Sequence, residues 1–389
     1  MYPIIKLKPG KERSVKNYHP WVFSGAVGKI DDNLKEGDVC YLHNADNQFL
    51  ATGHFHKSSI LFRVLSFEKI TIDKQYFIDG IQLAKTLRAQ LNLLNNADTN
   101  AYRLVHGEGD NMSGLVIDIY NNNAVVQCHT RGMANHKNEI GIALQEVFNN
   151  QLETIYFRHA IHKENDSNEN LFLHGENKSA VIKENTLQFN VDWIDGQKTG
   201  FFLDQRNNRN LLSQFCNGKK VLNTYCYTGG FSIYALHGGA SLVHSVDSSA
   251  KAIDMLLQNV KLNFENANHE SFCEDAGKFI KSMGHDYDVI ILDPPAFAKN
   301  RDAIHNASIA YRNLNAEAIK NIKQGGIIFT FSCSQSIDKE LFRKLVFQAA
   351  AMSNRKVRIL YTLTQPADHP INIFHPEGEY LKGLVLHIE

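Results

Sequence analysis

No Cys-x-x-C pair occurs among the six cysteines, Cys40, Cys128, Cys216, Cys226, Cys273 and Cys333, which are scattered along 389 residues. That spacing argues against a structural zinc site and a disulfide framework, so free thiols and no bound metal are expected. Net charge is lacking too, since 41 lysines and arginines balance 41 aspartates and glutamates. Without a global positive field, any affinity for nucleic acid must be local. No apolar run approaches the roughly 18 residues of a membrane span. The N-terminus also has no basic segment followed by a long apolar stretch and a small-residue cleavage site. A cytoplasmic protein with no membrane partner is expected.

What is present is a globular composition, 43% apolar and 21% charged, in a chain long enough for two or three domains. Three are expected. Residues 1–72 hold short alternating runs separated by turn residues (21–25, 38–42, 49–55, 60–65), the pattern of a small β-barrel. Its N-terminal arm carries Lys6, Lys8, Lys11, Arg13, Lys16 and Lys29 against the single acid Glu12, with Tyr18, His19 and Trp21 nearby. Positive charge beside stacking rings fits RNA contact as well as it fits a solvated face around a core tryptophan. Residues 73–190 read as an α+β unit, with helices over 77–96 and 135–149 and strands near 114–119, 124–129, 154–159 and 180–191. The turn-rich segment 107–114 reads as a surface loop.

From 191 to 389 strands and helices alternate, as in a doubly wound α/β domain. Strands are expected at 220–225, 242–247, 270–275, 287–293 and 326–331, with 356–361 and 381–387 closing the sheet. Ligands bind beyond the carboxyl ends of such strands, and the candidate residues cluster there. After the first comes Tyr-Cys-Tyr-Thr-Gly-Gly-Phe (225–231), a tight turn in which Gly229 and Gly230 admit a ligand close to the backbone before a helix starts. The turn is not G-x-G-x-x-G, which disfavours a dinucleotide. Asp247, with Ser248 after it, ends the second strand where an acid holds a ribose diol, and Asp275 at the end of the third is placed for an adenine amino group. Each acid alone reads equally well as a helix cap. Together with Asp-Pro-Pro they point to S-adenosylmethionine as cofactor, bound by Tyr227, Thr228, Gly229, Gly230, Phe231, Asp247, Ser248, Asp275, Asp293 and Pro294. The segment 196–209 has no clean periodicity, and Lys198, Phe202, Asp204, Gln205 and Arg206 are candidates to line the same pocket or to position the substrate.

Asp-Pro-Pro-Ala-Phe (293–297) and Cys333, 40 residues after Asp293, both follow apolar runs. The pair fits covalent methylation of a pyrimidine. Cytosine C5 is a poor nucleophile, and a thiolate adding at C6 converts the ring to an enamine that can take a methyl group. Cys333 is placed as that nucleophile, Asp293 to bond the N3 and N4 edge of the base, and Phe297 to stack on its face. Cys226 is a rival, though a side chain packed beneath the turn suits it better. A nitrogen methyltransferase using the Asp-Pro-Pro motif, a uracil C5 methyltransferase and a non-catalytic RNA-binding protein on the same fold remain alternatives.

These motifs resemble the class I methyltransferases that make 5-methylcytosine in large-subunit ribosomal RNA, the RlmI type. The resemblance rests on 19–26, 198–206, 227–231, 293–297, 330–334 and Ala-Asp-His-Pro at 367–370. It implies a PUA-type barrel at 1–72, a central α+β domain at 73–190 and a Rossmann-like methyltransferase domain at 191–389. It also implies 23S ribosomal RNA as partner, with Cys333 at the family's nucleophile position; Lys11, Arg13, Lys16 and Trp21 of the arm and Phe297 are the candidate contacts from the residues themselves. A homodimer is an open expectation. Many cytosine-5 RNA methyltransferases carry a second cysteine after the proline of the Asp-Pro-Pro-type motif, whereas here Pro295 is followed by Ala296.

Overall fold

The computed structural model describes residues 2–28, 30–159, 170–297 and 303–389; Lys29 of the basic arm lies outside them. The chain forms two compact units. One comprises residues 1–182, 191–201 and 367–378, the other residues 183–190, 202–366 and 379–389. The single boundary expected near residue 190 is therefore crossed several times. A reading in consecutive blocks misses segments that return to an earlier unit.

The first unit contains two sheets. The barrel strands are β1 (Ile4–Lys6), β2 (Trp21–Phe23), β3 (Val39–His43), β4 (Phe49–Phe55) and β5 (Ile60–Ser66), in the order β1-β3-β4-β5-β2, around Ile5, Val22, Leu42, Phe62 and Val64. A short helix α1 (Arg13–Lys16) carries the basic arm. The second sheet has the order β10-β9-β8-β7-β6, built from β6 (Ala101–His106), β7 (Leu115–Tyr120), β8 (Asn123–Cys128), β9 (Thr154–His159) and β10 (Leu171–His174). Helix α2 (Lys74–Gln90) packs on it through Phe77, Ile81 and Ala84. It starts earlier than the periodicity predicts because Asp73 caps it, accepting from the N–H groups of Gln75 and Tyr76. It also ends earlier, since Asn92 and Asn95 adopt left-handed backbone. The expected helix at 135–149 is α3 (Arg131–Asn135) followed by α4 (Lys137–Val147).

Segment 107–114 is not the surface loop expected. Met112 and Ser113 are buried, and its acids face inward: Asp110 pairs with the buried Arg88 guanidinium at 2.8 Å, and Glu108 accepts from Arg63, Trp21 and Ser113 at 2.7 Å each. Turn-forming residues gave the loop; the charges that bury it come from elsewhere in the chain.

Where one strand was expected near 180–191 there is a hairpin, β11 (Ser179–Glu184) and β12 (Leu187–Asp192), turning at the left-handed residues Asn185 and Thr186. The second unit is built on a seven-stranded sheet of β13 (Lys220–Thr224), β14 (Leu242–Asp247), β15 (His269–Cys273), β16 (Val289–Leu292), β17 (Gly326–Ser332), β18 (Val357–Leu363) and β19 (Lys382–Ile388). Its order is β15-β14-β13-β16-β17-β19-β18; β13 to β17 run parallel and β19 is antiparallel to both neighbours. This is the expected doubly wound domain. Helices α5 (Arg206–Ser213), α6 (Gly230–His237), α7 (Ala250–Asn263), α8 (Ala276–Ser282), α9 (Ile304–Asn321) and α10 (Lys339–Ser353) accompany it. Strand order reverses between β13 and β16, the switch point beside which such sheets bind ligands. The register Thr224 to Leu292 to Thr330 aligns the strand ends there.

Candidate active site

The turn after β13 is built around three left-handed residues: Tyr225 (φ 55°), Tyr227 (φ 47°) and Gly229 (φ 87°). A Cβ on Gly229 would lie 2.8 Å from Leu256 Cγ, so both its conformation and its packing demand glycine. From below, Asn259 of α7 donates to the Thr228 carbonyl at 2.9 Å. Gly230 then opens α6, whose N-cap Gly229 makes no side-chain cap, and the first N–H groups of a helix lack partners within it. Phe231 is buried beneath, while the Tyr227 ring stays half-buried and meets Phe202 edge-on at 5.2 Å.

Asp247 is fixed by the same turn. One carboxylate oxygen accepts from the Tyr227 N–H and the other from the Ser249 N–H, both at 2.9 Å, which aims the group while each oxygen keeps a second lone pair. Ser248 beside it is exposed. The third strand stops at Cys273, two residues short of expectation, because Asp275 caps α8 and accepts from the Lys278 N–H at 2.8 Å. It remains exposed, with its second oxygen outside the cap.

The segment 198–206 divides between the two units. Thr199, in the first, donates to Asp118 at 2.6 Å; Phe202 onward belongs to the second. There Gln205 is buried and polarised in one direction: Asn208 donates to its carbonyl oxygen at 2.6 Å, and its amide donates to Asp293 at 3.1 Å. Gln205 therefore orients the acid of the Asp-Pro-Pro motif. Asp204 accepts from the Tyr380 hydroxyl at 2.8 Å. Arg206 lies 3.5 Å from Glu184, which also takes both arms of Arg209 at 2.8 and 2.7 Å. Arg206 thus shares a buried anchor that shapes this segment, a role its sequence did not reveal. Arg209 and Glu184 were missed for the same reason: their partnership joins residues 25 apart in sequence.

Asp293 and Cys333 leave adjacent parallel strands, roughly 4.8 Å apart. Pro294 is buried and Pro295 exposed. Phe297 is half-buried with its ring 4.7 Å from that of Tyr311 and tilted 55° to it. The Tyr311 hydroxyl sits 3.0 Å from Ser334 Oγ and faces Cys333 electrostatically; burial raises its pKa. Tyr311 and the buried Lys382, which donates to the Ser334 carbonyl, had no sequence signal.

Burial separates the thiols. Cys40 and Cys216 are pushed up to about 12 by burial, and Cys128 higher still by the same cause. Cys226 is 5% exposed, and burial, reinforced by the Asp247 carboxylate, raises it well above the ordinary thiol value. It packs beneath the turn. Cys333 is half-buried and Cys273 exposed.

Among the described residues, no cluster of three or more His, Cys, Asp or Glu could hold a metal ion, and no helix is long and apolar enough to cross a membrane. Ala-Asp-His-Pro lies in the first unit: Asp368 accepts from the Arg103 N–H at 3.0 Å, and its carbonyl accepts from Arg88 at 2.7 Å. Lys11, Arg13 and Lys16 are exposed, whereas Trp21 is half-buried, its N–H on Glu108 and the Arg63 guanidinium over its ring at 4.7 Å.

A family model described as S-adenosylmethionine-dependent methyltransferase matches residues 151–370, and one described as PUA-like domain matches residues 5–67. The chain is 37% identical over 395 residues to "Ribosomal RNA large subunit methyltransferase I" of Vibrio parahaemolyticus, covering 98% of both chains. It is also 37% identical over 397 residues to the protein of that name from Aeromonas salmonicida, covering 99% of both. A solved S-adenosylmethionine-dependent methyltransferase from Streptococcus mutans superposes with a TM-score of 0.86 at 26% identity, over 99% of this chain and 100% of that one. A methyltransferase crystallised with SAH matches with a TM-score of 0.85 at 26% identity, over 99% of each. The cofactor is S-adenosylmethionine. The glycine turn, the opening of α6 and the oriented Asp247 carboxylate form a donor and acceptor set that suits it.

Proposed function

Because the chain belongs to the ribosomal RNA large subunit methyltransferase I family, we propose that it methylates C5 of a cytosine in 23S ribosomal RNA through a covalent bond from Cys333 to C6. The observation that carries this reading is a half-buried thiol one strand away from the Asp-Pro-Pro acid, at the carboxyl edge of the sheet. The other thiol at a neighbouring strand end, Cys226, is held protonated by burial.

Bound S-adenosylmethionine supplies an electrophilic methyl group, and its adenosine would be held by the glycine turn, Asp247 and Asp275, with Phe202 and Tyr227 beside it. The chain's own residues do the rest. The Cys333 thiolate adds to C6, forming an S–C6 bond and moving the C5–C6 π electrons toward C5. Asp293, aimed by Gln205, accepts from the N4 amino group and favours a protonated N3 as charge builds on the ring. Phe297, braced by Tyr311, is the ring on which the base would stack. After C5 has gained its methyl group, loss of the C5 proton to a base restores the C5–C6 double bond and expels the thiolate.

A stacked base must leave its helix to reach such a site, which gives the PUA-like domain a purpose in holding the RNA. Lys11, Arg13 and Lys16 supply local positive charge in a chain of zero net charge. Trp21 supports them by anchoring Glu108. Reversing the three charges should weaken RNA binding and lower the slope of log affinity against log salt; an unchanged slope would return the arm to solvent.

Mass spectrometry of nucleosides from 23S RNA methylated in vitro tests the target atom. The expected product is 5-methylcytidine. An N-methylated nucleoside or 5-methyluridine would replace this reading with a nitrogen or uracil target.

A further inference from the structure

Lys382 is a buried cation that the mechanism above leaves unused. It opens β19 directly opposite Ser332, the last residue of β17, and is 3% exposed. Its ammonium donates to the Ser334 carbonyl at 2.7 Å and to the Tyr380 carbonyl at 2.6 Å. The residue paired with it thus precedes Cys333 and the carbonyl bonded to it follows Cys333. A buried ammonium is costly unless it faces negative charge. Of the acids that face it, Asp338 caps α10 through the Leu341 N–H, and Glu379 pairs with Lys339. Cys333 also faces Lys382 electrostatically, and Tyr311, bonded to Ser334, faces Cys333 in turn.

We propose that Lys382 is a positioning residue that holds Cys333 as a thiolate ready for addition to the base. The inference rests on the reading of Cys333 as nucleophile. It supplies what that reading lacks, since a partly buried thiol with no cationic neighbour is mostly protonated at neutral pH. Burial lowers the Lys382 pKa to about 8, against the opposing pull of Cys333, Asp338 and Glu379. Its amine is therefore able to exchange a proton near neutrality. The neutral amine takes the proton from the Cys333 thiol, leaving ammonium and thiolate with no change in total charge. When Sγ bonds to C6 the sulfur loses its charge, and when the thiolate is expelled it returns to the same ammonium. A lysine suits this role better than an arginine, whose guanidinium does not deprotonate.

The test is the pH dependence of alkylation at Cys333, read by peptide mass spectrometry on the full-length protein with exposed Cys273 as internal reference. In the parent protein Cys333 should titrate at a lower pH than Cys273. In Lys382→Met its midpoint should move up by about one unit or more, cutting alkylation at neutral pH about tenfold, and Lys382→Arg should restore part of the reactivity by restoring the charge. An unshifted profile in folded Lys382→Met, or a parent Cys333 midpoint no lower than that of Cys273, would overturn the proposal. The second criterion needs no variant, so it decides the matter even where a Lys382→Met chain fails to fold. Failure of the underlying reading shows separately, as full methylation by Cys333→Ala. Loss of methylation in Cys333→Ala with an unshifted Lys382→Met profile refutes the role of Lys382 alone.

Discussion

The ends of β13 and β17 both place a cysteine at the carboxyl edge of one parallel sheet, yet their surroundings are opposed. At β13 the chain turns sharply through Tyr225, Tyr227 and Gly229, Cys226 is folded beneath the turn, and the nearest charge is the Asp247 carboxylate. Burial and that anion both keep the thiol protonated. At β17 the chain stays extended into Ser332, Cys333 remains half-buried, and the buried Lys382 ammonium, bonded to the Ser334 carbonyl, interacts electrostatically with it. A cysteine after an apolar strand is therefore uninformative by itself; on the proposed reading, burial and the sign of the neighbouring charge set the packing residue Cys226 apart from the nucleophile Cys333.

The largest expected effect breaks the symmetry outright. Cys333→Ala should abolish methyl transfer, by at least ~10³-fold in single-turnover assays because the uncatalysed C5 is so poor a nucleophile. Cys226→Ala should turn over at close to the parental rate and show its cost in thermal stability instead. Equal losses would mean that the two ends are not functionally distinct. Next, Asp293→Asn removes the carboxylate at the β16 end while preserving its shape, and kcat should fall about 10²-fold with little change in cofactor affinity. A fall in affinity alone would move Asp293 to the cofactor half of the site. Smaller again is Asp247→Ala, which removes charge-assisted hydrogen bonds worth about 1.5–3 kcal/mol. Calorimetry should show S-adenosylmethionine binding weakened by roughly 10 to 100-fold; unchanged affinity would leave Asp247 only as the brace of the Tyr227 turn.

Much of this contrast was legible in the sequence, for a physical reason. Parallel strands buried on both faces read as continuous apolar runs, so 220–224, 289–292 and 326–332 and the residues that follow them are visible without a structure. The glycine turn is visible because only glycine meets both demands at position 229. Harder to see was the end of β15, where Asp275 is a cap rather than a strand residue. Invisible were the groups that decide protonation and orientation. Lys382 lies 49 positions beyond Cys333 and reaches that strand end, opposite Ser332, through antiparallel pairing of β19 with β17. Asn208, Glu184 and Tyr311 likewise act through tertiary contacts. Ala-Asp-His-Pro is conspicuous in sequence, and the structure shows Asp368 of that motif accepting a backbone bond from Arg103 within the first unit.

Incubation with RNA carrying 5-fluorocytosine in place of cytosine tests the central claim most directly. Fluorine at C5 cannot leave as a proton does, so the bond from sulfur to C6 persists after methyl transfer. A denaturation-resistant complex should form only with S-adenosylmethionine present, and peptide mapping should place the RNA on Cys333. A complex mapped to Cys226 would contradict the assignment of Cys333, and none while the same protein methylates ordinary cytosine would contradict the covalent mechanism.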